Sequence, residues 1–186
     1  MIMERMQWRK MMAIALPVML AIASACDDDD GDTKSNLNPQ DRDFVVQASY
    51  ANRAEVELGA LAVSKGNQDA VKMFGNMMRE EHQNAWDNLR NIAAEVEADF
   101  PSGLKGEHQA LKDRLMSLSG YAFDTAYIHS QVKGHQEAEA LFETEVRSGK
   151  ELRLKDYATD LLPHIRMHLQ MADSLAATLA VPARGN

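Results

Sequence analysis

Four stretches of the chain step through apolar residues at alternating intervals of three and four, and titratable side chains interrupt them near their middles. In the last, Leu154, Ala158, Leu161, Ile165, His168, Ala172, Leu175 and Leu179 share one helical face, and His168 is the only polar member. His82 alone breaks the set Val71, Gly75, Met78, Ala85, Leu89, Ile92 and Val96. Glu55 alone breaks Phe44, Ala48, Ala51, Leu58 and Ala62. The remaining stretch is more polar: Asp124, Ile128, Gln131, His135, Ala138 and Phe142. Three imidazoles and one carboxylate on buried faces are side chains that could together ligate a transition metal. The imidazoles would act as neutral nitrogen donors, and Glu55 would supply charge to zinc, iron, copper or manganese. Asn52, Asp124, Tyr127 and Gln131 are the further polar residues around such ligands, of which Asp124, about three turns from His135, is a poor orienter for it and is expected to serve another layer.

The same facts fit a purely structural layer, in which Glu55 accepts hydrogen bonds from imidazoles and the pairing fixes helix register. Both readings rest on one argument: buried titratable groups without partners are costly, and mutual pairing relieves that cost. His164 sits at the edge of its stripe, and His108 and His129 read as solvated. The helical spacing of Met77, Met78, Met167 and Met171 reads as core filling, although thioethers can also ligate copper.

For these side chains to meet, each must lie at one level of a helical bundle. Asn38-Pro39 reads as a cap and first turn, Gly66 closes helix one near Lys65, and helix two runs from about Gln68 to Val96. A short helix follows over roughly Lys105 to Leu118. The last two long helices cover about Tyr121 to Arg147 and Glu151 to Ala180, with Pro163 expected to kink the final one or displace a hydrogen bond. Glu55, His82, His135 and His168 then fall within a few residues of their helix midpoints. At about 1.5 Å per residue they share a layer whichever way each helix points. The predicted fold is all-α, a ferritin-like four-helix bundle with a short extra helix between the second and third long helices.

Composition narrows the function classes. With 20 Lys and Arg against 28 Asp and Glu, the chain has a formal charge of -8 and no basic cluster in its body, which argues against nucleic-acid binding. No Glu-x-x-His pair of a standard di-iron centre occurs, since Arg79, Lys105, Ala126, Val132, Leu161 and Ile165 stand three residues before the six histidines. His-Glu-x-x-His, Gly-x-Ser-x-Gly and phosphate-loop patterns are also missing, so no enzymatic activity is assigned. A metalloenzyme would further need open coordination positions and a substrate channel.

The N-terminus reads as an export signal over residues 1–25: Arg5, Arg9 and Lys10, then the apolar "MMAIALPVMLAIA", too short to span a membrane. The lone cysteine, Cys26, ends "AIASAC", which resembles a bacterial lipobox and makes Cys26 the expected lipidation site. Residues 26–38, with "DDDDGD", read as an acidic tether, and residues 39–181 as the bundle domain. The expected partner is a membrane, reached through the lipid. The expected place is the bacterial envelope, periplasmic or surface-exposed, at the outer membrane.

The passages "ANRAEVELGALA", "VKMFGNMMREEHQNAWDNL", "FDTAYIHSQVKGHQEAEALF" and "LKDYATDLLPHIRMHLQMA" resemble an uncharacterised family of exported bacterial proteins, domain of unknown function 4142, described as ferritin-like outer-membrane proteins. The resemblance implies a helical bundle in the envelope and makes His82, His135 and His168 motif positions. It implies no activity. His164 falls outside the motif, and Glu81 stands where the resemblance leads one to expect aspartate.

Overall fold

The structure is a computed structural model that describes residues 36–180. The proposed signal and most of the tether, including Cys26, lie outside the described residues. Five helices follow in order: α1 (Pro39–Lys65), α2 (Asp69–Glu95), α3 (Gly106–Met116), α4 (Gly120–Ser148) and α5 (Leu152–Ala180). There is no strand among the described residues. α1 begins with a capping box: Asp41 N–H donates to Asn38 Oδ1 at 2.8 Å and Asn38 N–H to Asp41 Oδ2 at 2.6 Å, while Pro39 opens the first turn. α5 continues through Pro163.

Long-range bonds fix the helix directions. Asp124, near the start of α4, accepts from the amides of Asn67 and Gln68 in the α1–α2 turn, at 2.8 and 2.9 Å. Asp41, near the start of α1, accepts from the amides of Lys150 and Glu151 in the α4–α5 turn, at 2.8 and 3.2 Å. Tyr121 O–H donates to the carbonyl of Leu179, and Arg153 pairs with Glu95. Together these place α2 and α4 parallel, so the segment carrying α3 travels the length of the bundle. The wiring is two antiparallel hairpins, α1–α2 and α4–α5, joined by one long crossover, rather than plain up-down order. α3 is pinned to α1 by Lys112 Nζ to Glu57 at 2.5 Å.

α1 and α2 pack unusually closely because Gly59 and Gly75 face each other. A Cβ on Gly59 would stand 2.5 Å from the carbonyl oxygen of Gly75, and one on Gly75 would stand 2.6 Å from Ala62 Cβ. The core divides in two. One apolar cluster includes Leu58, Met78, Tyr127, Ile128 and Ala172; the other includes Phe44, Leu89, Phe142, Leu154 and Ile165. On the four long helices Glu55, His82, His135 and His168 fall between these clusters. Met78 is fully buried, but Met167 and Met171 are 40% and 39% exposed, so helical spacing misassigned those two to the core. Their face of α5 lies along a groove rather than under a neighbouring helix.

Candidate metal centre

The polar layer contains His82 from α2, His135 from α4 and His168 from α5. Their rings stand 5.3 to 5.7 Å apart, centroid to centroid, and one ligand atom from each lies within 4.8 Å of the others. His135 and His168 are buried and His82 is partly so. A three-residue offset between helix midpoints is under one turn, so the four-helix frame alone brings these rings to one level.

Each imidazole is held by one nitrogen. His135 Nδ1 is 2.9 Å from the carbonyl oxygen of Gln131, one turn earlier on the same helix. A carbonyl can only accept, so Nδ1 carries the proton and Nε2 keeps its lone pair. His82 Nδ1 is 2.8 Å from Asn52 Oδ1. The orientation of that amide is fixed from behind: Asn52 Nδ2 donates to Tyr157 Oη at 3.1 Å, and Tyr157 O–H donates to the carbonyl of Ala85 at 3.1 Å. His82 Nδ1 is therefore the donor, and Nε2 keeps its lone pair. His168 Nε2 meets Glu81 Oε2 at 3.0 Å, which leaves Nδ1 with the lone pair. The three remaining nitrogens, His82 Nε2, His135 Nε2 and His168 Nδ1, are buried without a hydrogen-bond partner.

Electrostatics favour the neutral rings that a metal requires. Burial, reinforced by His135 and His168, holds His82 well below the usual imidazole range. Burial and His135 bring His168 down to about 4, although Glu81 pulls the other way. An unsatisfied buried polar atom costs about 1–3 kcal/mol, and here three belong to rings whose ligand atoms come within 4.8 Å of one another. A cation accepts all three lone pairs at once.

The four expected ligands do not all join. Glu55 is not among the atoms that lie within 4.8 Å of one another; it lies beside the triad and interacts electrostatically with His135. Burial raises its carboxyl, with His135 and Gln131 opposing that shift, and its Oε2 has no hydrogen-bond partner. Tyr127 is buried, its hydroxyl has no partner, and burial together with Glu55 raises its pKa. Of the expected orienting residues, Asn52 holds His82 and Gln131 holds His135 through its backbone carbonyl. Asp124 does neither: it closes the α1–α2 turn at one end of the bundle, nearly three turns from His135. Glu81, read from the sequence only as a variation beside His82, is the carboxylate that orients His168. Its place directly before a stripe histidine was the available signal.

His164 is exposed, with Nδ1 3.8 Å from Glu81, and His129 is exposed. His108 is less solvated than expected; it is half-buried on α3, where burial lowers its pKa. A cavity of about 1400 Å³ reaches Glu55 and all three histidines, and α3 contributes His108, Leu111 and Arg114 to its wall. Among the described residues, no helix is long and apolar enough to cross a membrane.

Fold and site together define a helical-bundle protein with a three-histidine cluster that could hold a metal ion. The chain belongs to the family of the domain of unknown function DUF4142, which matches residues 28–175. A crystal structure of a DUF305 fragment from Deinococcus radiodurans shares the fold at a TM-score of 0.68 and 13% identity, over 76% of this chain and 98% of that one. No curated protein matches the chain.

Proposed function

We propose that this is a metal-binding protein of the bacterial envelope, which holds a divalent zinc, copper, iron or manganese ion through His82 Nε2, His135 Nε2 and His168 Nδ1. The observation that carries the reading is the set of three buried lone pairs, each forced by a hydrogen bond at the opposite nitrogen of its ring. A carboxylate behind a ligating imidazole, here Glu81, is a common outer partner of a metal-bound histidine. Three protein nitrogens leave room for a further ligand, which Glu55, beside the triad, or a group in the adjoining cavity would supply. The bound ion would supply Lewis acidity or a stored cation. Nothing in the site selects a reaction.

Tethering by a lipid on Cys26, with residues 1–25 removed as an export signal, is part of the same proposal. It is supported by the charged start, the apolar run and the small residues before the cysteine. Removal of residues 1–25 would leave 17 basic and 27 acidic residues, a formal charge of -10. Lipid labelling of the wild type beside Cys26→Ala tests the anchor; equal labelling of the two rejects it.

A structural layer is the competing reading, and the edge-on packing of His135 against His82 and His168 favours it. Metal analysis of the mature protein decides between them. The proposal expects one equivalent of metal, lost in His82→Ala, His135→Ala, His168→Ala. No stoichiometric uptake from zinc, copper, iron or manganese defeats it. The structural layer instead expects histidine-to-leucine replacements to keep or raise the stability of a protein that never bound metal.

A further inference from the structure

We propose that the groove between α2 and α5 binds a soft monovalent metal ion, copper(I) or silver(I), through the thioethers of Met73, Met77, Met167 and Met171. These residues are two pairs spaced by four, one pair on each of two neighbouring antiparallel helices, and all four line one cavity of about 610 Å³. Core filling does not account for them. Met78, next to Met77, is fully buried and fills the core, whereas Met73, Met167 and Met171 are 72%, 40% and 39% exposed. Six large apolar residues are exposed among those described, and half of them meet in this groove.

The chemistry of the wall selects the ion. It contains no carboxylate, imidazole, lysine or arginine, and its only polar side chains are Gln170 and Ser174. Hard divalent cations favour the charged carboxylates that this wall lacks, while neutral, polarizable thioethers suit copper(I) and its redox-silent counterpart silver(I). The histidine cluster offers the opposite set, nitrogen donors backed by a carboxylate. The protein thus has two donor sets of different softness. The groove begins within about 8 Å, along the helix axes, of the level of His82 and His168, since Met77 precedes His82 by five residues and Met171 follows His168 by three. The groove proposal does not depend on the histidine centre.

The test is a silver(I) titration, in chloride-free buffer, of the full chain carrying Cys26→Ser, so that the lone thiol does not take the first equivalent, and labelled with methyl-13C methionine. The methyl resonances of Met73, Met77, Met167 and Met171 are expected to move together and saturate at one equivalent. Met116, 54% exposed on α3 and outside the groove, serves as the internal control and should move only with excess silver. A Met73→Leu, Met77→Leu, Met167→Leu, Met171→Leu variant should lose that equivalent and keep its uptake of zinc at the histidines, since leucine preserves volume and apolarity but not the donor. The proposal is overturned if the four methyls respond no earlier than Met116, or if the leucine variant retains the full silver stoichiometry. It is likewise overturned if the missing equivalent is lost instead on replacing the three histidines. Should the leucine variant fail to fold, the resonances of the parent chain still decide. A groove that serves only as an apolar docking face would leave the methyls unmoved by silver.

Discussion

The α1–α2 and α4–α5 hairpins are closed in the same way, and their differences locate both the end of the bundle that loses stability as pH rises and its tightest helix contact. In each hairpin a glycine, Gly66 or Gly149, ends the first helix, and the next two amides donate to an aspartate near the start of the other hairpin. The separation between Asp41 and Asp124 equals that between Gly66 and Gly149, so the two hairpins are related element by element although no sequence repeat is visible. One turn before Gly66 stands Ala62; one turn before Gly149 stands Glu145. Burial, then hydrogen bonding and repulsion from Asp41, push the Glu145 carboxyl up to about 7. The same latch has an alanine one turn before its glycine at one end and a second carboxyl in that position at the other.

The largest effect should come from removing the latch without the second carboxyl. Asp124→Ala leaves two amides without their charged acceptor and is expected to lower stability by about 3 kcal/mol in denaturant unfolding. Asp41→Ala strips more amides, those of Asn38, Lys150 and Glu151, yet should cost less per bond because it relieves Glu145. Equal losses per bond at the two ends would erase the distinction.

Next in size is helix spacing. Gly75→Ala forces a Cβ against Ala62 Cβ and should cost about 2 kcal/mol by the same measurement. In the other hairpin Gly134→Ala meets only Glu55 Oε1 at 3.4 Å, an ordinary contact, so its change in melting temperature should be near zero or slightly upward.

The smallest effect sharpens the comparison most. In the fold Glu145 keeps its proton up to about pH 7, while in the unfolded chain it loses it near 4.5. Between those values the folded state holds the extra proton, so its contribution is greatest below 4.5 and is lost as pH rises through 7. Glu145→Ala, which makes this latch resemble its twin, should flatten that slope and raise stability at pH 8 by about 1 kcal/mol, after allowance for solvent at the bundle end. Unfolding curves at pH 5 and pH 8 for both proteins measure it, and an unchanged slope would sink the assignment.

Much of this molecule was legible from spacing. Stripe periodicity gave the four long helices, Asn38-Pro39 and Gly66 bounded the first, and the distance of each interrupting residue from its helix midpoint gave the layer. What periodicity cannot supply is which neighbour covers a face. Met167 and Met171 share helical spacing with true core residues, but they line a groove between α2 and α5 instead. Asp124 lies on the same stripe as His135 but about three turns away, so spacing assigned it to another layer, and the fold shows that this layer is the α1–α2 turn. Glu81 flanks the stripe, half-exposed, and only the approach of α5 gives it a role. Glu55 reached the correct level but not the group of convergent nitrogens.

The Tyr157–Asn52–His82 chain has a consequence for inheritance of form within the molecule. The carbonyl that anchors this chain belongs to Ala85, less than one turn beyond His82 on the same helix, so α2 dictates the proton position on its own imidazole through side chains borrowed from α5 and α1. Tyr157→Phe would cut that circuit, leave the Asn52 amide free to turn over, and make His82 a ring with two interchangeable faces. Nitrogen-15 chemical shifts of the imidazole would register the change from one tautomer to a mixture. In this sense the bundle carries an instruction about a single hydrogen atom, written across three helices.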